Sequence, residues 1–293
     1  MPLPLYQVDA FADGPFTGNP AAVCVLDANA AQGDDAAWMQ RVAEEMNLSE
    51  TAFIEPVGPA HDNRKGDAAT WRLRWFTPAA EVELCGHATL AAAHLLWDTG
   101  RVEPDAPIAF HTRFSGELAC RREGELIAMD FPADRFDDTA PPPAALLEAL
   151  GLHGGDVAAA ARGRYDWLVE LHDPDAVVNL LPDFAGLARF DTRGVAVTAW
   201  AHGHRIPPPG REPIDGVEVV SRFFAPRLRV NEDPVTGSLH CLFGPWYRRR
   251  RGVDAFEAYQ ASPRGGRLRV ETRGQRVRLA GRAVTVTRGE LLY

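Results

Sequence analysis

Two helix starts, each led by a glycine, carry residues whose types and spacing could perform chemistry. Gly86 is followed by His87, and Gly237 is followed by Ser238, and each glycine opens a run that is apolar on every side. The first turn of a helix presents unpaired backbone N–H groups and the positive end of the helix dipole, so an anion could bind at either start. Asp233 lies just ahead of the second start. The pattern therefore predicts anion binding beside groups that can move a proton.

Glu50 is a further candidate, in the segment Asn47-Leu-Ser-Glu50 between a predicted helix end and an apolar strand. A carboxylate held at a strand entrance can act as a general acid/base when burial raises its pKa toward the working pH. A solvated carboxylate in a turn is the common alternative. The spacing alone leaves both interpretations open.

The first helix start holds two residues with competing interpretations. The helix dipole disfavours a charged imidazole, so we expect His87 to be neutral, either in a site or as a satisfied core histidine. The dipole would stabilise a thiolate at Cys85, although a buried, inert cysteine is commoner. A two-thiol proton relay needs a second cysteine at the other helix start, where Thr236 and Ser238 stand instead. The absence of a cysteine at the second helix start weighs against thiol chemistry.

Both helices that position these residues must be buried, because a surface that is apolar all round has to be enclosed. Each helix closes on a glycine, Gly100 or Gly252, and the spacings from opening to closing glycine are nearly equal. The chain therefore reads as two similar halves, with a site lined by both helix starts. Strand patterns outnumber helices without regular βαβ alternation, which favours mixed α+β sheets.

The second helix contains two features that its apolar pattern does not explain. The run Arg248–Arg251 at its end is expected to complement the negative end of the dipole and to reach solvent. Pro245 lies past the first turn and is expected to kink the helix. Neither feature suggests a function.

Length and charge narrow the class of protein. A chain of 293 residues exceeds the usual size of one hydrophobic core, which predicts two domains. The net charge of −9 and the pI near 5.5 argue against nucleic acid and anionic membranes as partners, and they favour a small molecule. The cysteines show no CxxC spacing, so neither a metal site nor a disulfide framework is predicted. Without a secretory leader or a membrane-length apolar run, the expected location is cytoplasmic.

Segments spread over nearly the whole chain match the motifs of one family. They are Val8-Asp-Ala-Phe11, Phe16-Thr-Gly-Asn-Pro20, Asn47-Leu-Ser-Glu-Thr51, Arg74-Trp-Phe-Thr-Pro78, Glu83-Leu-Cys-Gly-His-Ala-Thr89, Ser221-Arg-Phe-Phe-Ala-Pro226 and Glu232-Asp-Pro-Val-Thr-Gly-Ser238. Together these segments are specific, whereas no single one would suffice. On them the chain resembles the PhzF-like phenazine-biosynthesis proteins, which share a fold with diaminopimelate epimerase.

The resemblance implies two similar domains, each a mixed β-sheet curled into a barrel around a central buried α-helix. It places these domains at residues 1–118 with 279–293 and at residues 119–278. It also implies a cofactor-independent isomerase that moves a proton between carbons of a small carboxylate substrate, with a glutamate acid/base in the cleft between the domains. A homodimer is expected on the same basis.

Residue by residue, the resemblance assigns roles within this sequence. The catalytic residues that it implies are Glu50, His87 and Asp233. The substrate-binding residues, some of which offer backbone N–H groups to the carboxylate, are Gly86, Gly237, Ser238 and Asn19. No metal and no cofactor are expected.

Two other functions stay open at this stage. One is an epimerase or racemase that uses Cys85 with one other base, since the phenazine enzyme itself has no cysteine before its Gly-His pair. The other is a member of the family that binds a small molecule or a protein without turnover. The sequence does not identify the substrate.

Overall fold

The computed structural model describes residues 2–57, 68–139, 141–208 and 210–292. The strands are β1 Leu3–Ala10, β2 Asn19–Val25, β3 Glu50–Pro56, β4 Ala69–Phe76, β5 Glu81–Val82, β6 Ile108–Thr112, β7 Glu117–Glu123, β8 Leu126–Pro132, β9 Phe136–Asp137, β10 Val157–Gly163, β11 Asp166–Leu171, β12 Gly194–Trp200, β13 Val219–Phe224, β14 Ala255–Gln260, β15 Gly266–Arg273, β16 Arg276–Gly281 and β17 Ala283–Leu291. The α-helices are α1 Ala36–Met46, α2 Gly86–Asp98, α3 Ala144–Leu150, α4 Pro174–Val178, α5 Phe184–Leu187 and α6 Gly237–Arg251. Among these helices, none combines the length and the apolar character that crossing a lipid bilayer requires.

The chain divides into two compact units. The first comprises Met1–Phe131 and Ala280–Tyr293, and the second comprises Pro132–Leu279. The boundary expected after residue 118 lies within β7. Because β7 pairs antiparallel with both β6 and β8, these hydrogen bonds keep the chain up to Phe131 in the first unit.

The first unit is a mixed sheet packed against α2. β1 pairs antiparallel with β2 and β17, β2 runs parallel to β3, β3 antiparallel to β4, and β4 parallel to β6. α2 contacts β1, β2, β3 and β17, and 11 of its 13 residues are buried. This confirms the burial predicted from the apolar sequence. Gly100, just past the helix end, has a φ of 67°, as the helix-closing pattern predicted.

The second unit is also a mixed sheet. β10 pairs antiparallel with β9 and β11, β11 runs parallel to β12, β12 antiparallel to β13, β13 parallel to β14, and β14 antiparallel to β15. α6 contacts β15, and most of its residues from Gly237 to Tyr247 are buried. The helix closes on Gly252, whose φ is 71°. Mixed sheets with few helices are therefore confirmed in both units.

Pro245 lies inside α6, and the helix continues through it to Arg251. Proline has no N–H group, so the carbonyl of Cys241, four residues earlier, lacks its usual helical donor. The backbone N–H of Asp134 donates to that carbonyl at 3.0 Å. The loop between β8 and β9 therefore replaces the missing donor, and Pro245 creates an attachment point for that loop on the helix.

The arginines that end α6 are held by acidic residues. Glu170 of β11 is fully buried, and its carboxylate accepts hydrogen bonds from Arg250 Nε, Arg251 Nη2 and Trp246 Nε1, each at 3.1 Å. The other two arginines of the run form ion pairs with aspartates. The run reaches solvent as expected, since all four arginines are exposed, and two of them also supply the donors that the buried carboxylate needs.

Replacing Glu170 tests this anchor. Glu170→Gln keeps the side-chain volume but removes the charge, and hydrogen bonds to charged groups contribute about 1.5–3 kcal/mol each. Because the two arginines are partly exposed and can be hydrated again, we expect the free energy of unfolding to fall by about 2 kcal/mol in total. Urea unfolding followed by tryptophan fluorescence measures this change.

The matched control is Asp215→Asn, which breaks the exposed Arg205–Asp215 pair. We expect the free energy of unfolding of this control to change by less than about 0.5 kcal/mol, as is usual for surface substitutions. Equal losses in the two variants would contradict the special role of the buried carboxylate.

Candidate active site

Glu50 lies at the entrance of β3, as predicted. α1 ends at Met46, and Asn47 adopts a left-handed conformation with a φ of 47°, its N–H donating to the carbonyl of Ala43. This cap turns the chain so that β3 begins at Glu50, opposite Ala21 of β2. The side chain of Glu50 is only 19% exposed, so its carboxylate is largely shielded from water.

The imidazole of His87 is the centre of a cluster in the first unit. Its Nε2 lies 3.1 Å from Oε2 of Glu50. Its Nδ1 lies 3.4 Å from Nδ2 of Asn19 and 3.5 Å from Sγ of Cys85. Asn19 begins β2, Glu50 begins β3, and Cys85 immediately precedes α2, which starts at Gly86 as predicted. The starts of two strands and one helix therefore meet at a single ring.

The charge of His87 follows from its neighbours. Burial lowers the pKa of His87, but the side chains of Cys85 and Glu50 raise it by more, so the net pKa lies well above the ordinary value of 6.5. From the sequence a neutral ring is expected, because the helix dipole alone disfavours a charged imidazole. In the structure Cys85 and Glu50 lie beside the ring and favour its charged form, so the pKa of His87 is raised.

The pKa of the Cys85 thiol is raised in this environment. Burial raises the pKa of Cys85, and the carboxylate of Glu50 raises it further, while His87 only partly offsets the two. The side chain is almost completely enclosed, with 6% of the residue exposed. A thiol with a raised pKa seldom takes the thiolate form that acts as a nucleophile or a base, and its enclosure limits access to it.

The cluster also contains the donor types of a metal site. One donor atom each from Glu50, Cys85 and His87 lie within 4.8 Å of one another, and zinc accepts all three kinds of ligand. However, the sulfur faces Nδ1 of the ring, whereas the carboxylate faces Nε2. Because an ion bonds to only one ring nitrogen, this arrangement suits proton transfer through His87 better than it suits coordination of one ion by all three residues.

A second cluster lies at the start of α6, in the second unit. Asp233 Oδ2 accepts a hydrogen bond from Thr236 Oγ1 at 2.5 Å, and the backbone carbonyl of Asp233 accepts one from Gln260 Nε2 at 2.7 Å. Gln260 Oε1 in turn accepts from the N–H of Thr236 at 2.9 Å. The buried amide of Gln260 therefore fixes the turn that leads into α6, which begins at Gly237 as predicted.

The side chain of Ser238 contacts an arginine that the sequence did not suggest. Arg193 Nη1 donates to Ser238 Oγ at 2.9 Å. Arg193 also donates through Nε and Nη2 to the two carboxylate oxygens of Asp166, the Nε–Oδ1 distance being 2.9 Å. Asp166 is buried and opens β11, while Arg193 directly precedes β12. The start of α6 is thus tied to the edge of two parallel strands.

The predicted site residues fall into these two clusters. The first unit brings together Asn19, Glu50, Gly86 and His87, and the second brings together Asp233, Gly237 and Ser238. Sequence reasoning missed Arg193, Asp166 and Gln260, because each is a single polar residue outside any charged pattern. The sequence feature that could have indicated two of them is weak, since Asp166 and Gln260 are only polar residues at the ends of largely apolar strands.

Comparison with known proteins gives matches along almost the entire chain. The family model of PhzC-PhzF, phenazine biosynthesis-like protein, matches residues 8–289. An uncharacterized isomerase of Halalkalibacterium halodurans is 43% identical over 100% of this chain and 99% of its own length. An uncharacterized isomerase of Pseudomonas aeruginosa is 45% identical over 99% of each chain.

Solved structures show the same likeness. The crystal structure of a phenazine biosynthesis protein of the PhzF family from Enterococcus faecalis superposes with a TM-score of 0.84, at 38% identity and full coverage of both chains. A hydroxyproline epimerase from Agrobacterium vitis superposes with a TM-score of 0.55 at 12% identity, covering 99% of this chain and 92% of its own. The second likeness concerns the fold alone.

The titration of His87 tests the electrostatics of the first cluster. In an NMR titration of the imidazole, the midpoint for His87 should lie well above 6.5, and Glu50→Gln should lower it because the carboxylate at 3.1 Å is removed. His240 is the internal control, since burial lowers its pKa to about 4 and Glu50 is not among the causes of that shift. A His87 midpoint at or below 6.5, or one that Glu50→Gln leaves unchanged, would disprove the assignment.

The same shift has a consequence for stability. Because the pKa of His87 is raised in the folded state, its stabilising contribution is fully present below the unfolded value of about 6.5 and is lost as the pH rises through the folded pKa. The difference in unfolding free energy between the wild type and His87→Gln should therefore shrink as the pH rises above neutrality.

Proposed function

We propose that this chain, which belongs to the PhzC-PhzF family of phenazine biosynthesis-like proteins and is an isomerase, moves a proton between two carbons of a small carboxylate substrate. The observation that carries the proposal is the pairing of Glu50 with His87, 3.1 Å apart at the start of the buried helix α2. In this proposal Glu50 is the general acid/base. His87 balances the charge of the carboxylate and holds its orientation.

The proposed reaction needs no change in oxidation state. Ionised Glu50 removes a proton from a carbon next to a double bond, and the electrons of the broken C–H bond form a new π bond as the double bond shifts. Protonated Glu50 then returns a proton to the carbon at the far end of the shifted system. Because the side chain of Glu50 is 19% exposed, its carboxyl proton can exchange with solvent before this return, so deuterium can enter the product. The imidazolium of His87, with Nε2 3.1 Å from Oε2, stabilises ionised Glu50 by its charge. Atoms and electrons balance without an external reductant or oxidant.

We further propose that the start of α6 binds the carboxylate group of the substrate. The N–H groups of Gly237 and Ser238 have no acceptor among the described residues, and the positive end of the helix dipole favours an anion there. Asp233, held by Thr236, would orient the substrate, and Gly86 and Asn19 would add contacts at the other cluster. That one substrate molecule contacts both clusters stays a prediction, which is based on the family resemblance.

The finer description of the fold is part of the same proposal. We propose that each compact unit is a domain whose sheet curls into a barrel around α2 or α6. The contacts of α2 with β1, β2, β3 and β17 support this for the first unit, as does the likeness in fold to an epimerase. The homodimer expected from the family also stays a prediction.

One observation favours a second candidate, an epimerase that uses Cys85 as a base. Sγ of Cys85 lies 3.5 Å from Nδ1 of His87, so a proton could pass between them. Against this candidate stand the raised pKa of the thiol and the absence of a cysteine at the start of α6, where Ser238 stands. Relatives along the full length are called isomerases, so the non-catalytic alternative is not retained.

The central test replaces the proposed base. Wild-type enzyme is incubated in deuterium oxide with a panel of small unsaturated carboxylic acids, and incorporation into carbon is followed by NMR. With any acid that the wild type labels, we expect Glu50→Gln to slow labelling by about 100-fold or more, the usual contribution of a general acid/base. The matched control is Glu83→Gln, which removes an exposed carboxylate three residues before Gly86 and should leave labelling unchanged. Wild-type labelling by Glu50→Gln would refute the assignment.

Cys85→Ala separates the two candidate reactions. Because the pKa of the thiol is raised and its side chain is enclosed, we expect labelling to continue within about tenfold of the wild-type rate, a far smaller loss than removal of a general base causes. The same samples are examined for loss of optical rotation, which reports racemisation. A loss in Cys85→Ala as large as that in Glu50→Gln would replace our proposal with the cysteine-dependent epimerase.

A further inference from the structure

Arg193 is held more rigidly than a surface arginine. Its guanidinium forms a bidentate hydrogen bond with the carboxylate of Asp166, which is 1% exposed. The carbon at the centre of the guanidinium lies 5.4 Å from the ring centre of Tyr165 and 5.5 Å from that of Phe223. Two rings and one carboxylate therefore fix the position of this cation.

The neighbouring glycine leaves room for this packing. A Cβ atom on Gly194 would lie 2.3 Å from the ring of Phe223, far closer than any side-chain contact allows. Gly194 pairs with Asp166 across the parallel strands β11 and β12, so the ring, the carboxylate and Arg193 are built into one stretch of sheet. The position of Arg193 is thus set by the sheet and does not depend on a bound ligand.

This fixed cation determines the direction of one hydroxyl proton. Arginine carries only donors, so Ser238 Oγ can only accept from Nη1 of Arg193, at 2.9 Å. The proton on Oγ must then point elsewhere. Among the described residues no acceptor for this proton is found, and Ser238 is partly exposed. The hydroxyl is therefore available as a donor, next to the N–H groups of the first turn of α6.

We propose that Arg193 is a positioning residue that holds Ser238 as a hydrogen-bond donor to the carboxylate group of the substrate. The inference rests on the proposed function, since it concerns the binding of that carboxylate. The charge of Arg193 is already balanced by Asp166, so it acts through Ser238 and does not itself pair with the substrate. Asp166 contributes to the same positioning, because its carboxylate holds the guanidinium of Arg193 in place.

A binding cycle with benzoate as the probe tests the proposal without a known substrate. Chemical shifts of the Gly237 and Ser238 amides are followed by NMR in the wild type, Ser238→Ala, Arg193→Met and the double variant. A hydrogen bond to a charged group corresponds to roughly a 10- to 100-fold change in affinity, so each single variant should weaken benzoate binding by about tenfold or more. The double variant should be no weaker than either single variant.

Two controls separate positioning from general disturbance. Arg162→Met removes another arginine, which holds Thr192 and the carbonyl of Asp191 but does not contact Ser238, and it should bind benzoate like the wild type. Benzamide, the uncharged analogue of benzoate, should bind at least tenfold more weakly to the wild type. Arg193→Met leaves Asp166 unpaired, which could prevent folding. In that case Asp166→Asn combined with Arg193→Met removes both charges, and this variant should bind benzoate as weakly as Ser238→Ala.

Several results would overturn the proposal. The first two are the absence of amide shifts at Gly237 and Ser238 with benzoate, and binding of benzamide as tight as that of benzoate. The third is a loss of benzoate affinity in Arg162→Met as large as that in Arg193→Met. The fourth is that the losses of affinity in the two single variants add up in the double variant. Additive losses would mean that Arg193 acts on the anion independently of Ser238. Benzoate binding is measured without turnover, so failure of the proton-transfer proposal would appear in the labelling experiment alone.

Discussion

Both clusters depend on the enclosure of a helix that has no polar face. The sides of α2 are covered by strands, and carbonyls in its last turn accept from N–H groups just past the helix, whereas the N–H groups of the first turn have no partner within the helix. α6 is buried in the same way over most of its length. Apolar packing therefore leaves the helix start as the place where polar atoms remain available. This is where His87 and Ser238 lie.

The two starts differ in the kind of proton that they offer. At α2, the paired side chains are a carboxylate and an imidazole, which are groups that general acid/base catalysis uses. At α6, the charged pair is Arg193 with Asp166, and the remaining donors are a hydroxyl and backbone amides, which keep their protons. One start is suited to moving a proton and the other to holding an anion. An isomerisation of a carboxylate needs a group of each kind.

Much of this arrangement could be read from the sequence because it is local. The apolar runs after Gly86 and Gly237 fixed where the helices begin, and the turn after Asn47 fixed the position of Glu50. The partners of these residues could not be read, since they come from distant strands. The charge of His87 depends on Glu50, 37 residues away in sequence, and the orientation of Ser238 depends on Arg193, 45 residues away.

Pro245 links the opening of a helix to the motion of a loop. Its missing N–H exposes the Cys241 carbonyl, and the amide of Asp134 occupies that acceptor. The acceptor has its geometry only when the surrounding turns of α6 are formed, so the loop between β8 and β9 can attach only after the helix has folded. The rate of hydrogen exchange at the Asp134 amide therefore reports the opening of α6, and it shows whether the loop attaches after the helix has formed.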